Sequence, residues 1–270
     1  MEKKKRNYSI IVVTFNNIGG LERTLDSIRR LNYDQKEVVV IDGGSTDGTQ
    51  ALMEKNAALI DVAVSEKDSG IYNAMNKGIA RATGDYIVFM NAGDEFAHAN
   101  VLSTVNNYAT DLILGGDIYG GTQRLPKTVM TLYDILSIGI CHQAVYYRRE
   151  VLQRYGFDES YKIIADLKSV VEPLAKDHVT IASIVEPLAV CESGGLSKQR
   201  WKDILSEKRR MLEEVIDPFY REDYLRFAYI NNSMLDDFIV LSHFHSVFPM
   251  LRLLTKMVRL LNGIFKHIPL

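Results

Sequence analysis

Four apolar runs rich in Val and Ile divide the first hundred residues of this 270-residue chain. The runs are contained in YSIIVVTFN, KEVVVIDGG, LIDVAVSEK and GDYIVFMN. Continuous β-branched runs are typical of strands that are buried on both faces. Three segments that predict helices lie between them, namely GGLERTLDSIRRL, STDGTQALMEK and IYNAMNKGIARAT. This alternation predicts an α/β fold with a mainly parallel sheet that helices cover on both faces.

Each predicted strand ends in a polar segment. The four segments are TFNN, IDGGSTDGT, EKDSG and MNAGDEF. Ligands of open α/β sheets bind in the crevice outside the carboxyl ends of the strands. We therefore expect the four segments to line one cleft that binds a polar, phosphorylated ligand.

Several common classes of protein are disfavoured. No G-x-G-x-x-G follows the first strand and no G-x-x-x-x-G-K-[ST] occurs, which argues against an NAD-type enzyme and a P-loop NTPase. The net charge of −2 argues against a nucleic-acid-binding protein. Cys141 and Cys191 lack CxxC spacing, so we expect neither a disulfide scaffold nor a zinc knuckle, and a reducing cytosol fits best.

The motifs as a set resemble those of a family 2 glycosyltransferase with the GT-A fold. They are SIIVVTFN, VVVIDGGSTDGT, EKDSGIYNAMNKGIARATGDYIVFMNAGDEF and CHQAVYYRREVLQRYGFDESYKIIADLK, in the family's order. More narrowly, the chain resembles the bacterial branch that builds capsule, exopolysaccharide or O-antigen units. The resemblance implies an inverting transfer of sugar from a nucleotide-sugar donor, most commonly a UDP-sugar, to a glycan or lipid-linked acceptor.

The resemblance covers roughly residues 7–200, so we place a GT-A domain at 1–200. Its nucleotide-sugar half would be about 1–97 and its acceptor half about 98–200. A helical C-terminal extension would follow at 201–270.

By this resemblance, NAGD occupies the place of the family's Asp-x-Asp metal motif, and Asp94 matches the metal-binding aspartate. The diphosphate leaving group needs its charge neutralised, and Mg²⁺ or Mn²⁺ prefers carboxylate and phosphate oxygens. Asn91, which we also place at the donor, stands where many members have a second Asp. The alternative for Asp94 is a loop aspartate that caps the next turn.

Other donor contacts are expected at the strand ends. The resemblance implies that Asp42 contacts the base or ribose, and that Thr14 and Asn16 line the same pocket. The alternative for Asp42 is to cap a turn through GGST. Asp68 would bind nucleotide or shape its loop, and Lys77 would lie near the diphosphate or be a solvated lysine.

The second half should supply the general base. The resemblance places Asp166, in IIAD, beside the acceptor hydroxyl, where a carboxylate takes the proton during attack on the anomeric carbon. The alternative is a helix N-cap before LKSVVE. His142, in CHQ, would border the diphosphate or the acceptor, or act as a structural hydrogen bonder. Gly194 and Gly195, in ESGGLSK, match the family's flexible loop over the donor.

The last residues combine a wide apolar face with a basic stripe made by Arg252, Lys256, Arg259 and Lys266. That pattern predicts an in-plane membrane helix. A helix packed on the catalytic domain, or on a second subunit in a homodimer, is the alternative. The apolar stretch Ile10–Val13 is too short for a signal peptide, and no apolar window is long enough for a transmembrane helix. We expect a cytoplasmic protein, peripheral on the inner face of the cytoplasmic membrane.

Two other functions are alternatives to sugar transfer. The DGG, NAGD and IIAD loops each lack one acid that relatives have, which would suit a degenerate GT-A module that binds nucleotide or glycan without catalysis. A nucleotidyltransferase on a similar sheet is disfavoured, because its Gly-rich basic loop is missing after Val13.

Overall fold

The computed structural model describes residues 5–192, 201–221 and 224. Within them, nine strands form one sheet. The strands are β1 (Tyr8–Thr14), β2 (Lys36–Asp42), β3 (Val62–Ser65), β4 (Tyr86–Phe89), β5 (Glu95–Phe96), β6 (Leu112–Tyr119), β7 (Thr122–Arg124), β8 (Val145–Arg148) and β9 (Ile181–Cys191). The helices are α1 (Ile18–Arg29), α2 (Thr49–Lys55), α3 (Ile71–Ile79), α4 (Val101–Val105), α5 (Leu132–Ile138), α6 (Arg149–Tyr155), α7 (Ala165–Lys176) and α8 (Trp201–Val215), and a 3-10 turn covers His142–Ala144.

The strand order is β3-β2-β1-β4-β8-β6-β9-β5, with β7 paired to β6. The first four strands are parallel to one another, as predicted. The second half of the chain adds antiparallel pairings, since β8 runs antiparallel to both β4 and β6. The sheet is therefore mixed, with its parallel part at the four strands whose polar ends the sequence singles out.

The strand β1 lies at the centre of the parallel part, and all seven of its residues are buried. Helix α1 covers one face of the sheet with Leu21, Leu25 and Ile28. Helix α3 packs on β1 and β2 with Met75 and Ile79 inward, as predicted. Because helices bury both apolar faces of the sheet, the strands are held in fixed positions. A binding site at the carboxyl ends of the strands requires such fixed positions.

Helix α8 packs against α7, and its residues Met211, Leu212 and Val215 are buried. The Glu207 carboxylate of α8 also accepts hydrogen bonds from the backbone N–H groups of Ile163 and Ile164, at the start of α7. The compact unit that contains the sheet ends at Tyr224.

Some predictions fall on residues that the structure does not describe. The loop with Gly194 and Gly195, and the basic stripe from Arg252 to Lys266, both lie outside the described residues. Among the residues that are described, none of the helices has the length and apolar character needed to cross a membrane.

Candidate functional site

A cavity of about 1270 Å³ opens at the carboxyl ends of β1 to β4. All four strand exits contribute to its wall, which confirms the predicted common cleft. The exits contribute Val13 and Thr14, Gly43 and Gly44, Lys67 and Asp68, and Asn91, Ala92 and Asp94. The second half of the chain also contributes to the wall, through residues that include His142, Gln143 and Asp166.

The NAGD segment is a tight turn. The Asp94 backbone N–H donates to the Asn91 carbonyl at 2.9 Å, and Gly93 has φ of 111°, a conformation that favours glycine. The Thr24 hydroxyl of α1 anchors the turn, because it accepts from the Gly93 N–H at 3.0 Å and donates to the Asp94 carbonyl at 2.7 Å. Helix α1 thus holds Asn91 and Asp94 at the cavity wall.

The Asp94 side chain is buried but not fully paired. Its Oδ2 accepts from Gln143 Nε2 at 2.6 Å, and its Oδ1 accepts from the Glu192 backbone N–H at 2.8 Å. Burial raises the pKa of this carboxyl, while these two hydrogen bonds act to lower it. Each oxygen has a further lone pair that neither hydrogen bond uses.

Asn91 supplies a second oxygen next to Asp94. Its Oδ1 is buried and has no hydrogen-bond partner among the described residues. Its Nδ2 lies 3.1 Å from His142 Nε2. An unpaired buried carbonyl oxygen is costly unless a ligand satisfies it. The Asn91 oxygen and the Asp94 carboxylate are hard donors of the kind that Mg²⁺ and Mn²⁺ prefer, so the residues fit a divalent cation.

Asp166 lies in the first turn of α7 and faces the same cavity. His142 Nδ1 lies 3.3 Å from its Oδ2, and the Tyr72 hydroxyl lies 3.3 Å from its Oδ1. The N-cap of α7 is Ile164, so the alternative role of Asp166 as N-cap does not apply. The same Tyr72 hydroxyl donates to the Ile163 carbonyl at 2.6 Å. Burial, reinforced by the nearby Asp166 charge, raises the pKa of Tyr72 and keeps it protonated.

Thr14 closes β1 and lines the cavity, as predicted. The residue is 5% exposed. Its hydroxyl has no partner within the described part of the chain. A ligand that reached this buried hydroxyl would break no hydrogen bond made by the described residues.

Asp42 is placed differently from the prediction. It is 0% exposed and does not line the cavity, although the adjacent Gly43 and Gly44 do. Its carboxylate accepts from the Ser45 N–H at 3.1 Å, from the Ser45 hydroxyl, and from the Ser65 hydroxyl at 2.6 Å. The structure therefore gives Asp42 the alternative role of capping the turn through GGST. The reason is that parallel pairing brings Ser65 of β3 opposite Asp42.

Asn16 and Lys77 also lie outside the cavity wall. Asn16 has φ of 48° and its Oδ1 accepts from the Thr46 N–H at 2.9 Å, so its side chain fixes a turn. Lys77 forms an ion pair with Glu66 at 2.9 Å and donates to the Lys67 carbonyl at 3.0 Å. A hydrogen bond and the charge from Lys77 lower the pKa of Glu66. Contacts within the fold therefore hold both side chains.

Asp68 is the carboxylate that the β2 and β3 exits present to the cavity. Its side chain lies against Gly43, where a Cβ would approach Asp68 Oδ2 to 2.5 Å. Its Oδ1 accepts from the Gly70 N–H at 3.0 Å. Asp68 thus shapes its loop and also faces the site.

Three residues that contact the predicted site residues were not themselves predicted from the sequence. Gln143 and Glu192 hold the Asp94 carboxylate, and Tyr72 contacts Asp166. Gln143 adjoins His142 in CHQ, which is a weak local signal. Glu192 is 98 residues from Asp94, and nothing in the local sequence links them.

The chain is similar to known proteins in sequence and in fold. The family model described as "Glycosyl transferase family 2" matches residues 9–150. A "PGL/p-HBAD biosynthesis glycosyltransferase" of Mycobacterium bovis (strain BCG / Pasteur 1173P2) is 33% identical over 169 residues, which are 59% of this chain and 66% of that protein. The chain thus spans slightly less than two thirds of that relative.

Two solved structures are similar in fold. Staphylococcus aureus TarS 1-349 in complex with UDP-GlcNAc has a TM-score of 0.64 at 17% identity, covering 81% of this chain and 70% of that one. The mannosyltransferase PcManGT from Pyrobaculum calidifontis, in complex with GDP-Man and Mn²⁺, has a TM-score of 0.62 at 16% identity. It covers 98% of this chain and 89% of that one. The α/β architecture is therefore the GT-A fold.

Proposed function

This chain belongs to glycosyl transferase family 2, and we propose that it is an inverting glycosyltransferase that moves a sugar from a nucleotide-sugar donor to a glycan or lipid-linked acceptor. One observation carries the proposal: the turn with Asn91 and Asp94 and the carboxylate of Asp166 line a single cavity at the ends of four parallel strands.

The donor would lie along the ends of β1 to β4. The unpaired Thr14 hydroxyl and the Asp68 carboxylate offer hydrogen-bonding groups for the base and ribose. Such groups orient a nucleotide in the crevice of an α/β sheet. UDP-GlcNAc in the TarS structure supports a UDP-sugar as donor.

The diphosphate would lie beside Asn91 and Asp94. These two residues would hold Mg²⁺ or Mn²⁺, and the cation would neutralise the charge that develops on the departing diphosphate. Gln143 and Glu192 fix the Asp94 carboxylate, and Thr24 fixes the turn that bears it. A fixed carboxylate needs no reorganisation when the charge develops, which is how a preorganised site lowers a barrier.

Asp166 would act as the general base. Its carboxylate accepts the proton of the acceptor hydroxyl while that oxygen forms a bond to the anomeric carbon. The bond from the anomeric carbon to the diphosphate oxygen breaks at the same time, and the nucleoside diphosphate leaves with the electron pair. Attack opposite the leaving group inverts the anomeric configuration. His142 would hold Asp166 in place.

The acceptor and setting are proposed by analogy. The mycobacterial relative and the resemblance to polysaccharide-building enzymes support a role in bacterial surface glycan synthesis. A peripheral position on the cytoplasmic membrane would bring the enzyme to a lipid-linked acceptor, and residues 250–266 would supply the contact. Anionic liposomes should release the Arg252→Glu/Arg259→Glu variant, whereas unchanged binding would contradict the membrane contact. A homodimer through the same region is the alternative.

The transfer is tested by mixing the protein with a panel of nucleotide sugars, candidate glycan acceptors and Mn²⁺ and measuring free nucleoside diphosphate. We expect release from one donor, and a loss of about a hundredfold or more in Asp166→Asn. Donor affinity should persist in that variant, because Asp166 acts on the acceptor. Glu150→Gln, at an exposed acid, is the matched control. Donor binding without release from any donor and acceptor would instead support the degenerate binding module.

A further inference from the structure

Two thiols from distant parts of the sequence meet in the cavity wall. Cys141 precedes the 3-10 turn, and Cys191 ends β9. Their Sγ atoms lie 3.0 Å apart, and both residues line the cavity. Neither thiol takes part in the sugar transfer proposed above.

A carboxylate completes the group. The side-chain ligand atoms of Asp117, Cys141 and Cys191 all lie within 4.8 Å of one another. Asp117 belongs to β6 and is 4% exposed. From this geometry we propose a second metal site, distinct from Asn91 and Asp94, at which the two thiolates and the Asp117 carboxylate bind Zn²⁺.

The ligand types select the ion. Thiolates prefer Zn²⁺ to Mg²⁺ or Mn²⁺, and zinc sites with three protein ligands keep a fourth position for water or a substrate. Because both cysteines line the cavity, a water or substrate molecule in the cavity could supply the fourth ligand. Asn91 and Asp94 offer only oxygen ligands. The two sites would therefore prefer different cations, a hard one at Asn91 and Asp94 and a softer one at the two cysteines.

Arg124 supports the carboxylate ligand. It donates to Asp117 through Nε, which lies 3.0 Å from Oδ2 and 3.2 Å from Oδ1, and through Nη2, which donates to Oδ2. A carboxylate that accepts these bonds still has lone pairs for a metal, and hydrogen-bonded carboxylates are the usual metal ligands. With two thiolates, one carboxylate, Arg124 and Zn²⁺, the charges of the cluster cancel.

The 3.0 Å separation of the two sulfur atoms is longer than a disulfide bond and shorter than the distance between two thiolates on one zinc ion. Tetrahedral zinc with bonds of about 2.3 Å puts two thiolates about 3.7 Å apart, whereas a disulfide needs about 2.05 Å. The third ligand favours zinc, because a carboxylate has no part in a disulfide. The cation would also brace the site, since Cys141 adjoins His142 and Cys191 adjoins Glu192, whose N–H holds Asp94.

The test uses full-length protein, freed of metal by a chelator, reduced, and without nucleotide or acceptor. Co²⁺ serves as the probe. We expect one equivalent to produce thiolate-to-cobalt charge-transfer absorption, and one equivalent of Zn²⁺ to remove it. Cys141→Ser and Cys191→Ser should each lose the absorption, and Asp117→Asn should weaken Zn²⁺ binding about tenfold or more.

Asp94→Asn is the matched control and should leave absorption and affinity unchanged. In the wild type, which needs no variant to fold, Zn²⁺ should slow maleimide labelling of both cysteines about tenfold or more, as ligand exchange at a thiolate site predicts. Absence of thiolate absorption, its loss in Asp94→Asn, or a Cys141–Cys191 disulfide in protein isolated without oxidant would overturn the proposal. None of these measurements depends on glycosyl transfer, so failure of either proposal is recognised separately.

Discussion

The Nδ1 atom of His142 lies 3.3 Å from the Oδ2 atom of Asp166. The other ring nitrogen, Nε2, lies 3.1 Å from Asn91 Nδ2. Because an amide nitrogen donates, Nε2 accepts from Asn91, and Nδ1 is the nitrogen that can donate to Asp166. One imidazole therefore connects the turn that bears Asp94 to the proposed base.

Replacing His142 should affect turnover more than donor binding. His142→Ala removes the hydrogen-bond donor that orients Asp166, and we expect kcat to fall about tenfold to a hundredfold. The Kd for the donor should change by less than about threefold. Steady-state kinetics and calorimetric titration with the donor separate the two effects, and His98→Ala provides a control at a partly exposed histidine. An equal loss in Kd would place His142 in donor binding instead.

The response to Mn²⁺ should depend on pH. Burial raises the pKa of Asp94, and only the ionised carboxylate binds the cation. On acidification, Asp94 is therefore protonated at a higher pH than an ordinary aspartate, whose pKa is about 3.9. The increase in Tm caused by Mn²⁺ with UDP should therefore be complete at neutral pH and disappear on acidification before an exposed aspartate would titrate.

At a ligand concentration a hundred times Kd, the stabilisation should be about 2.7 kcal/mol. Asp94→Asn should abolish the Mn²⁺-dependent part at every pH, whereas Glu54→Gln, at an exposed acid of α2, should retain it. A pH-independent shift in the wild type would show that another group binds the cation.

The Thr14 hydroxyl should contribute to ligand binding and not to folding. Thr14→Val has nearly the same shape, and the hydroxyl that it removes has no partner within the described residues. We expect unchanged or higher thermal stability without ligand, and donor affinity weaker by about 0.5–1.5 kcal/mol. Thr14→Ser, which keeps the hydroxyl, should bind the donor like the wild type. Equal affinity for Val and Ser variants would rule out this contact.

Asp42 should have the opposite profile. Asp42→Ala removes the acceptor of three hydrogen bonds, two from the N–H and hydroxyl of Ser45 and one from the hydroxyl of Ser65. We therefore expect a loss of about 2 kcal/mol in the free energy of unfolding. Ser65→Ala, which removes one of these bonds, should cost less. Urea unfolding measures both. A variant that folds with normal stability but no longer binds donor would restore the predicted nucleotide contact.

Much of the first half of the fold follows from local patterns. The β-branched runs predict β1, β2 and β4 as buried strands of a mainly parallel sheet, because a strand buried on both faces has no polar side. The apolar residues Leu21, Leu25 and Ile28 predict α1, because their spacing places them on one face of a helix. Antiparallel β8 was less predictable, since its short run VYYR becomes a central strand only by pairing with β4 and β6.

The sequence by itself determined where the polar strand ends fall and that Thr14 and Asp94 belong to them, because periodicity and turn chemistry are local. Only the tertiary structure decided which carboxylate faces the cavity, since Asp42 and Asp68 differ in the hydroxyl groups that neighbouring strands bring to them. It alone placed Cys141 beside Cys191, and Gln143 and Glu192 on Asp94. These contacts join residues 49 to 98 positions apart, and the pairing of strands, not any local preference, sets such distances.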